Sequence, residues 1–339
     1  MGMAALFLVL IPACNKGGSQ NQGGGESDKF GNYKLHSTKY DNVDQSKAKD
    51  NAADALTQLQ NEKNVCLIGL WAYNPPAILA AVKAANKEGV VKIVGFDEDE
   101  ITLLGIKEGH IYGTVVQQPF EFGYQSVKMM VQLVKDPKAP MPKEVVNGVL
   151  HVPHLIIKKD NVEEFHKNLN ELKQPVPEGQ ERAAGGARIK VGFVSNNIAE
   201  FWNIAEAGTR KAAGEFAVEV LFRRPKTPTA AAQKEIIEDL ITQGVQALAI
   251  SVIDPDNQRD FLDQIADRVP LITQDNDAPQ SKRKCYIGTD NYEAGKAAGK
   301  LVQEAMPQGG TIAIFVGQPD PINARQRRQG VLDQLSDKK

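Results

Sequence analysis

The sequence predicts an α/β protein built as two doubly wound parallel-sheet lobes, and three observations carry that prediction. Apolar strand-like runs alternate with amphipathic helical patterns through nearly the whole chain. The runs are apolar on both faces, as in 65–70 (VCLIGL), which is the habit of parallel strands covered by helices on both sides. About ten such units exceed one comfortable sheet. A stretch rich in Pro, Gly and charge, 174–187 (QPVPEGQERAAGGA), divides them.

In chain order, 33–38 reads as a strand and 46–61 as a helix with Ala53, Leu56 and Leu59 facing inward. Residues 65–70 form a strand, and 76–86 a helix with Pro in its first turn. Residues 91–97 form a strand before a helix over 98–108 that has Asp and Glu in its first turn. A strand over 112–116, a helix over 121–135, an extended run over 149–157 and a short amphipathic helix over 162–172 complete the first half. Beyond the linker, strands are expected at 188–195, 218–222, 247–251, 271–273, 285–288 and 311–316. The intervening helices span 201–216, 230–243, 257–266, 292–305 and 323–335. In the first of these, Ile204, Ala205, Ala212, Ala213 and Phe216 share one apolar face.

A length of 339 residues accommodates two medium lobes, each with its own core. Lys and Arg number 40 against 42 Asp and Glu, so no basic field points to nucleic acid. Of the three cysteines, Cys66 and Cys285 lie in strand-like runs, where a thiol behaves as a small hydrophobe. Residues 4–13 form an apolar run too short to span a bilayer, and it reads as the core of a signal peptide over 1–14. Its end, Ile11-Pro12-Ala13-Cys14, resembles a bacterial lipoprotein signal, which implies lipidation of Cys14. Residues 15–29, rich in Gly, Asn, Gln and Ser, then read as a flexible tether.

The stretch 188–195 (RIKVGFVS) leads into Asn196 and Asn197, and Phe201-Trp202 then opens a helix. This arrangement resembles the first strand and sugar-binding loop of the type I periplasmic binding proteins, the ribose and glucose binders of ABC importers, whose core LacI-like repressors share. The resemblance implies that Phe201 and Trp202 stack on a sugar ring; the alternative reading of the residues alone is that they are merely core. It extends over 33–336, with the family's two halves in exchanged order. That implies a circular permutation joined by a hinge. One lobe then takes 30–117, 149–173 and 290–339, and the other 118–148 and 188–289. The linker 174–187 joins the family's usual ends and, at ~3.3 Å per residue, reaches up to ~45 Å. The strand over 33–38 should lie parallel to that over 311–316, with Leu335 within about 15 Å of Asn32.

By the same resemblance, Asp275 accepts hydrogen bonds from sugar hydroxyls. Asn276 follows it where ribose-type members often carry Arg. Among Arg325, Arg327 and Arg328, Arg327 matches the sugar-contacting Arg, Arg325 supports it, and Arg328 is solvated. Guanidinium presents a planar fork of donors suited to adjacent hydroxyls. Asp97 of Val94-Gly95-Phe96-Asp97 is the second carboxylate acceptor and Phe96 a wall of the site. Gln117 matches a sugar-contacting Gln at a hinge crossing. Trp71 stands where many ribose-type members carry Asn, and is either a second stacking ring or a core tryptophan. Ser251 and Thr289 are each either a cap or a ligand group.

Enzyme signatures are missing from the sequence: there is no Gly-x-Gly-x-x-Gly after a strand, no phosphate loop, no nucleophile elbow and no His-Glu-x-x-His. His151 and His154 are three apart on an extended run and face opposite sides, which makes them poor metal partners. Asp254-Pro255-Asp256-Asn257 reads as a turn and helix cap rather than a calcium loop. The expected function is an exported, non-enzymatic and monomeric protein without cofactor that delivers a monosaccharide or polyol to an ABC permease. The alternative is a sugar-sensing module of a chemotactic or signalling receptor, or a LacI-like regulatory core. The leader favours export over the repressor.

Overall fold

The structure is a computed structural model and describes residues 29–172 and 189–336. The expected signal peptide with Cys14, the tether up to residue 28 and the linker 174–187 lie outside the described residues. The first half comprises β1 (Lys29–Phe30), β2 (Tyr33–Tyr40), α1 (Gln45–Gln58), β3 (Val65–Gly69), α2 (Asn74–Ala84), β4 (Lys92–Phe96), α3 (Glu100–Glu108), β5 (Gly113–Val116), α4 (Pro119–Lys135), β6 (Val149–His151), β7 (Leu155–Lys158) and α5 (Val162–Leu172). The second comprises β8 (Lys190–Val194), α6 (Phe201–Phe216), β9 (Glu219–Arg223), α7 (Ala230–Thr242), β10 (Ala247–Ile250), α8 (Pro255–Ala266), β11 (Leu271–Gln274), β12 (Tyr286–Gly288), α9 (Asn291–Ala305), β13 (Gly310–Val316) and α10 (Ile322–Ser336).

These elements form two sheets. The seven-stranded sheet has the order β1-β2-β13-β3-β4-β5-β7, and the six-stranded sheet β6-β12-β11-β10-β8-β9. Pairing is parallel throughout the six-stranded sheet. In the other, β1 and β7 add antiparallel edges to a parallel centre. The β2 strand lies parallel to β13, with Tyr33 opposite Gly310. A Cβ on Gly31 would sit 2.6 Å from the Leu335 carbonyl oxygen, so the first described strand begins where the last helix ends.

Alternation along each strand feeds two cores, one per sheet face. In β3, Val65 and Leu67 enter one cluster with α1, α2 and α3, while Cys66 and Ile68 enter another with α9 and α10. In β10, Ala247 and Ala249 face α4 and α6, whereas Leu248 and Ile250 face α7 and α8. Both Cys66 and Cys285 are buried free thiols. Helix starts are fixed by side-chain caps: Asp44, Asp99, Thr229, Asp254 and Asp290 each accept from a backbone N–H of the first turn. Asp254 is thus a helix cap, as its sequence context predicts. The inner face of α1 is Ala48, Ala52, Ala55 and Leu56, not Ala53, which is exposed one position out of phase.

The extended run over 149–157 is not one strand. Val149–His151 pairs with β12 in the six-stranded sheet, and Leu155–Lys158 pairs with β5 in the other. The boundary expected at 149 therefore falls after His151. Pro153 breaks the run, because proline has no N–H for a ladder. The chain changes sheets here, after β5 and after β12. These crossings are tied together: the Val152 N–H donates to the Gly288 carbonyl at 2.8 Å and Gln118 Nε2 to the Pro153 carbonyl at 2.8 Å.

Candidate ligand-binding site

Strand ends from both sheets converge on one cavity of ≈ 430 Å³. Its polar lining comes from the residues just beyond β4, β5 and β11, the β8–α6 loop and the start of α10. The carboxyl ends of parallel strands are where open α/β sheets leave a crevice. A larger surface groove of ≈ 650 Å³ between α3 and α5 lacks such convergence; its Lys107 and Glu163 pair with each other at 2.9 Å.

Two carboxylates face the cavity, one from each sheet. Asp97 is the first residue beyond β4 and Asp275 the first beyond β11, each 5% exposed. The Gln117 amide donates to Asp97 Oδ1 at 2.9 Å. Asp275 Oδ2 accepts from Ser251 Oγ at 2.7 Å and from Asn196 Nδ2 at 3.3 Å. Burial raises the Asp97 carboxyl above the usual range, against the pull of the Arg327 guanidinium and the Gln117 bonds. Burial also lifts Asp275, to about 6; the Ser251 bond and Arg327 oppose the rise, and the Asp97 charge adds to it.

Arg327, 2% exposed, is the cation between them. Its Nε donates to Asn291 Oδ1 at 2.9 Å and Nη1 to the Leu70 carbonyl at 2.9 Å. The guanidinium lies over the Phe96 ring at 4.5 Å, and Nη1 stands 3.9 Å from Asp97 Oδ2. Its Nη2 has no partner, nor do Gln117 Oε1, Asn323 Oδ1 and Trp71 Nε1, four buried polar atoms on cavity-lining residues. Two of these atoms are donors and two are acceptors, so the wall can both give and take hydrogen bonds.

On the other side, Asn197 shapes the loop. Its Oδ1 accepts from the Ala199 N–H at 2.8 Å and from Trp202 Nε1 at 3.1 Å. Trp202 touches the cavity but is 1% exposed and packs edge-on against Phe193, so most of its ring is core. Phe201 is half-buried and also lines the cavity, as does Trp71, whose ring meets Tyr73 edge-on with centroids 6.3 Å apart.

Nine of the residues expected at a site line this cavity: Trp71, Asp97, Gln117, Asn196, Asn197, Phe201, Trp202, Asp275 and Arg327. Four others stand behind it. Phe96 is a fully buried floor under Arg327, and Ser251 holds Asp275. Asn276 turns its amide to the Val252 carbonyl, and Thr289 is buried at a crossing between the sheets. Arg325 does not belong: it is exposed, because two helical steps turn it about 200° away from Arg327. Arg328 is half-buried, and its Nε donates to Thr38 Oγ1 at 3.0 Å. Residues that sequence reasoning missed are Asn323, one helical turn before Arg327, and Tyr73, Asn42, Val43 and Lys226. The i, i+4 spacing of Asn323 and Arg327 could have signalled the first.

Among the described residues no group of three or more His, Cys, Asp or Glu side chains is gathered to hold a metal, and no helix is long and apolar enough to cross a membrane. The model for the periplasmic binding protein domain matches residues 20–138 and 191–339. The ribose import binding protein RbsB of Bacillus subtilis (strain 168) is 31% identical over 99 residues, 29% of this chain and 32% of that protein. An ABC transporter solute binding protein from Burkholderia graminis C4D1M, solved with D-arabinose, is 29% identical over 45% of this chain and 53% of its own, with a TM-score of 0.43. GanP, a glucose-galactose binding protein from Geobacillus stearothermophilus, is 26% identical over 44% and 54%, with a TM-score of 0.42. The chain thus spans about a third of the length of the curated relative and about half of the length of these solved chains.

Proposed function

The chain belongs to the periplasmic binding protein domain family, and on that footing we propose that it captures a monosaccharide or polyol between its two sheets and delivers it to an ABC importer. One observation carries the reading: two buried carboxylates, a buried guanidinium and four partnerless polar atoms converge with aromatic rings on one cavity. A polyhydroxylated ring satisfies that set. Its hydroxyls donate to Asp97, Asp275, Gln117 Oε1 and Asn323 Oδ1, and accept from Arg327 Nη2 and Trp71 Nε1. Bonds to the charged groups contribute roughly 1.5–3 kcal/mol each, while Phe201 and Trp71 cover the C–H surface. The similarity of 99 residues to a ribose import binding protein supports a sugar over other small solutes.

Both sheets supply contacts, so the ligand favours the arrangement that brings them together, and capture is coupled to closure at the three crossings. The protein acts as a monomer, and no bond of the ligand is made or broken. A thermal-shift screen of pentoses, hexoses and polyols, with amino acids as controls, tests the reading. At least one sugar or polyol should raise Tm by several degrees at about 100 times its Kd, where linkage contributes ~2.7 kcal/mol. A rise with amino acids and with no sugar would overturn it.

We propose further that the protein works outside the cytoplasm, anchored through a lipid on Cys14. Mass spectrometry of the mature protein from its native host checks this; an unmodified N-terminus elsewhere than Cys14 contradicts it. The exchanged order of the two halves is a circular permutation of the family's chain in this reading. Its support is the parallel pairing of β2 with β13 and the meeting of Gly31 with Leu335. One lobe then comprises 30–117, 152–173 and 290–339, and the other 118–151 and 188–289, with 174–187 bridging the family's usual ends.

A further inference from the structure

A carboxylate outside the cavity holds the aromatic wall in place. Asp41 directly follows β2 and is 1% exposed. Its Oδ1 accepts from Tyr73 Oη at 2.5 Å and from the Val43 N–H at 2.9 Å, and its Oδ2 accepts from Asn74 Nδ2 at 2.9 Å. Asn74, also 1% exposed, passes the order on: its Oδ1 accepts the Trp71 N–H at 3.1 Å. One buried carboxylate thus ties Tyr73 and Asn74 directly and Trp71 through Asn74, and the side chains of Trp71 and Tyr73 line the cavity.

The same carboxylate fixes the loop opposite that turn. Asn42 and Val43 line the cavity with φ of 56° and 66°. A β-branched residue there is a genuine outlier that persists only when its surroundings over-determine it. Here the over-determination is visible: Asp41 takes the Val43 N–H, and the Asn42 N–H donates to the Gly317 carbonyl at 2.7 Å. Gly317 also leaves room for the wall, since a Cβ there would lie 2.1 Å from Trp71 Cζ3 and 2.7 Å from Tyr73 Oη.

We propose that Asp41 is a positioning residue for ligand binding, setting the Trp71 and Tyr73 rings and the 42–43 backbone against the cavity through the Asp41–Asn74 pair. The role rests on the sugar-binding reading for what the wall touches, but the positioning itself does not. The direction of the hydrogen bonds makes a specific demand. Asp41→Asn keeps the shape and the two bonds at Oδ1, but turns an amide N–H₂ toward that of Asn74. Asn74→Asp sets two carboxylates face to face. The double exchange Asp41→Asn with Asn74→Asp restores every pairing, because the amide at 41 donates to the carboxylate at 74, which still accepts the Trp71 N–H.

The experiment labels the protein with 5-fluorotryptophan. Its two tryptophans give two ¹⁹F resonances, assigned by Trp71→Phe. In each single variant the Trp71 resonance should shift or broaden while that of Trp202 stays. Calorimetric affinity for the tightest of D-ribose, D-arabinose and D-glucose should fall about fivefold or more. The double variant should return both readouts toward wild type. A Trp71 resonance unmoved in the single variants, or a double variant no better than they are, overturns the proposal. Should Asp41→Asn fail to fold, Tyr73→Phe removes only the Oη bond, and an unmoved Trp71 resonance there overturns it equally. If none of the three sugars binds the wild type, that counts against the sugar reading, while the ¹⁹F spectra still decide the positioning.

Discussion

Asp97 and Asp275 hold the same station in different sheets: each is the first residue beyond a parallel strand, and each takes a left-handed backbone, with φ of 65° and 60°. That conformation costs most side chains more than it costs Asp or Asn. Here it turns the chain sharply as the strand ends, and both carboxylates line the cavity. The two acceptors differ in support. Asp97 is held by an amide beside a guanidinium, and Asp275 by a hydroxyl and a longer amide contact. A ligand that bridges them joins the two sheets.

The carboxyl of Asp275 yields a pH prediction. Burial raises it from 3.8 to about 6 in the folded protein. Between those values the folded state binds the proton and the unfolded state does not, so stability falls as pH rises through that window. Above it, the ionised group costs the empty protein ~2–3 kcal/mol. Asp275→Asn, neutral throughout and tolerant of positive φ, should raise Tm at pH 7.5 and leave it nearly unchanged at pH 4. Ligand affinity of the wild type should fall as pH drops below about 6 and the acceptor protonates. Scanning calorimetry at the two pH values checks the first part; equal shifts at both would contradict it.

Gly317→Ala should damage the cavity wall without touching a charge. The added methyl meets the Trp71 ring at 2.1 Å, far inside any real contact distance. Displacing the ring should cost ~1–3 kcal/mol of stability and weaken ligand binding. Urea unfolding and calorimetry on the same sample check both losses together.

Much of this was legible in the sequence because periodicity is local. The run Val65–Gly69 is apolar throughout and became a strand buried on both faces. Asp97 and Asp275 are singled out by the family resemblance, each standing just beyond such a run. What was not legible depends on where walls meet. Tyr73 follows β3 and Asn323 follows β13, and these strands pair across residues some 250 positions apart in sequence. The break at Pro153 was readable in principle, but an apolar run does not say that its two ends join different sheets. Arg325 was misplaced by spacing alone, since residues two apart on a helix face different ways.

The proposed circular permutation predicts a tolerant rearrangement. A chain beginning at residue 188, running through 336 directly into 29 and ending at 173, should keep the fold, because Leu335 and Gly31 already meet. Its Tm and its ligand affinity should match those of the natural order, apart from a loop-closure difference of ~1 kcal/mol. Failure to fold would contradict the permutation.

The central claim is that a sugar is held by charged groups from both sheets, and titration calorimetry of the wild type beside Asp97→Ala, Asp275→Ala and Arg327→Ala tests it most directly. The wild type should bind one molecule of at least one pentose, hexose or polyol, and each variant should bind it more weakly by ~1–3 kcal/mol or more. Unchanged affinity in Asp97→Ala and Asp275→Ala, or no heat from any sugar or polyol with the wild type, would contradict the account.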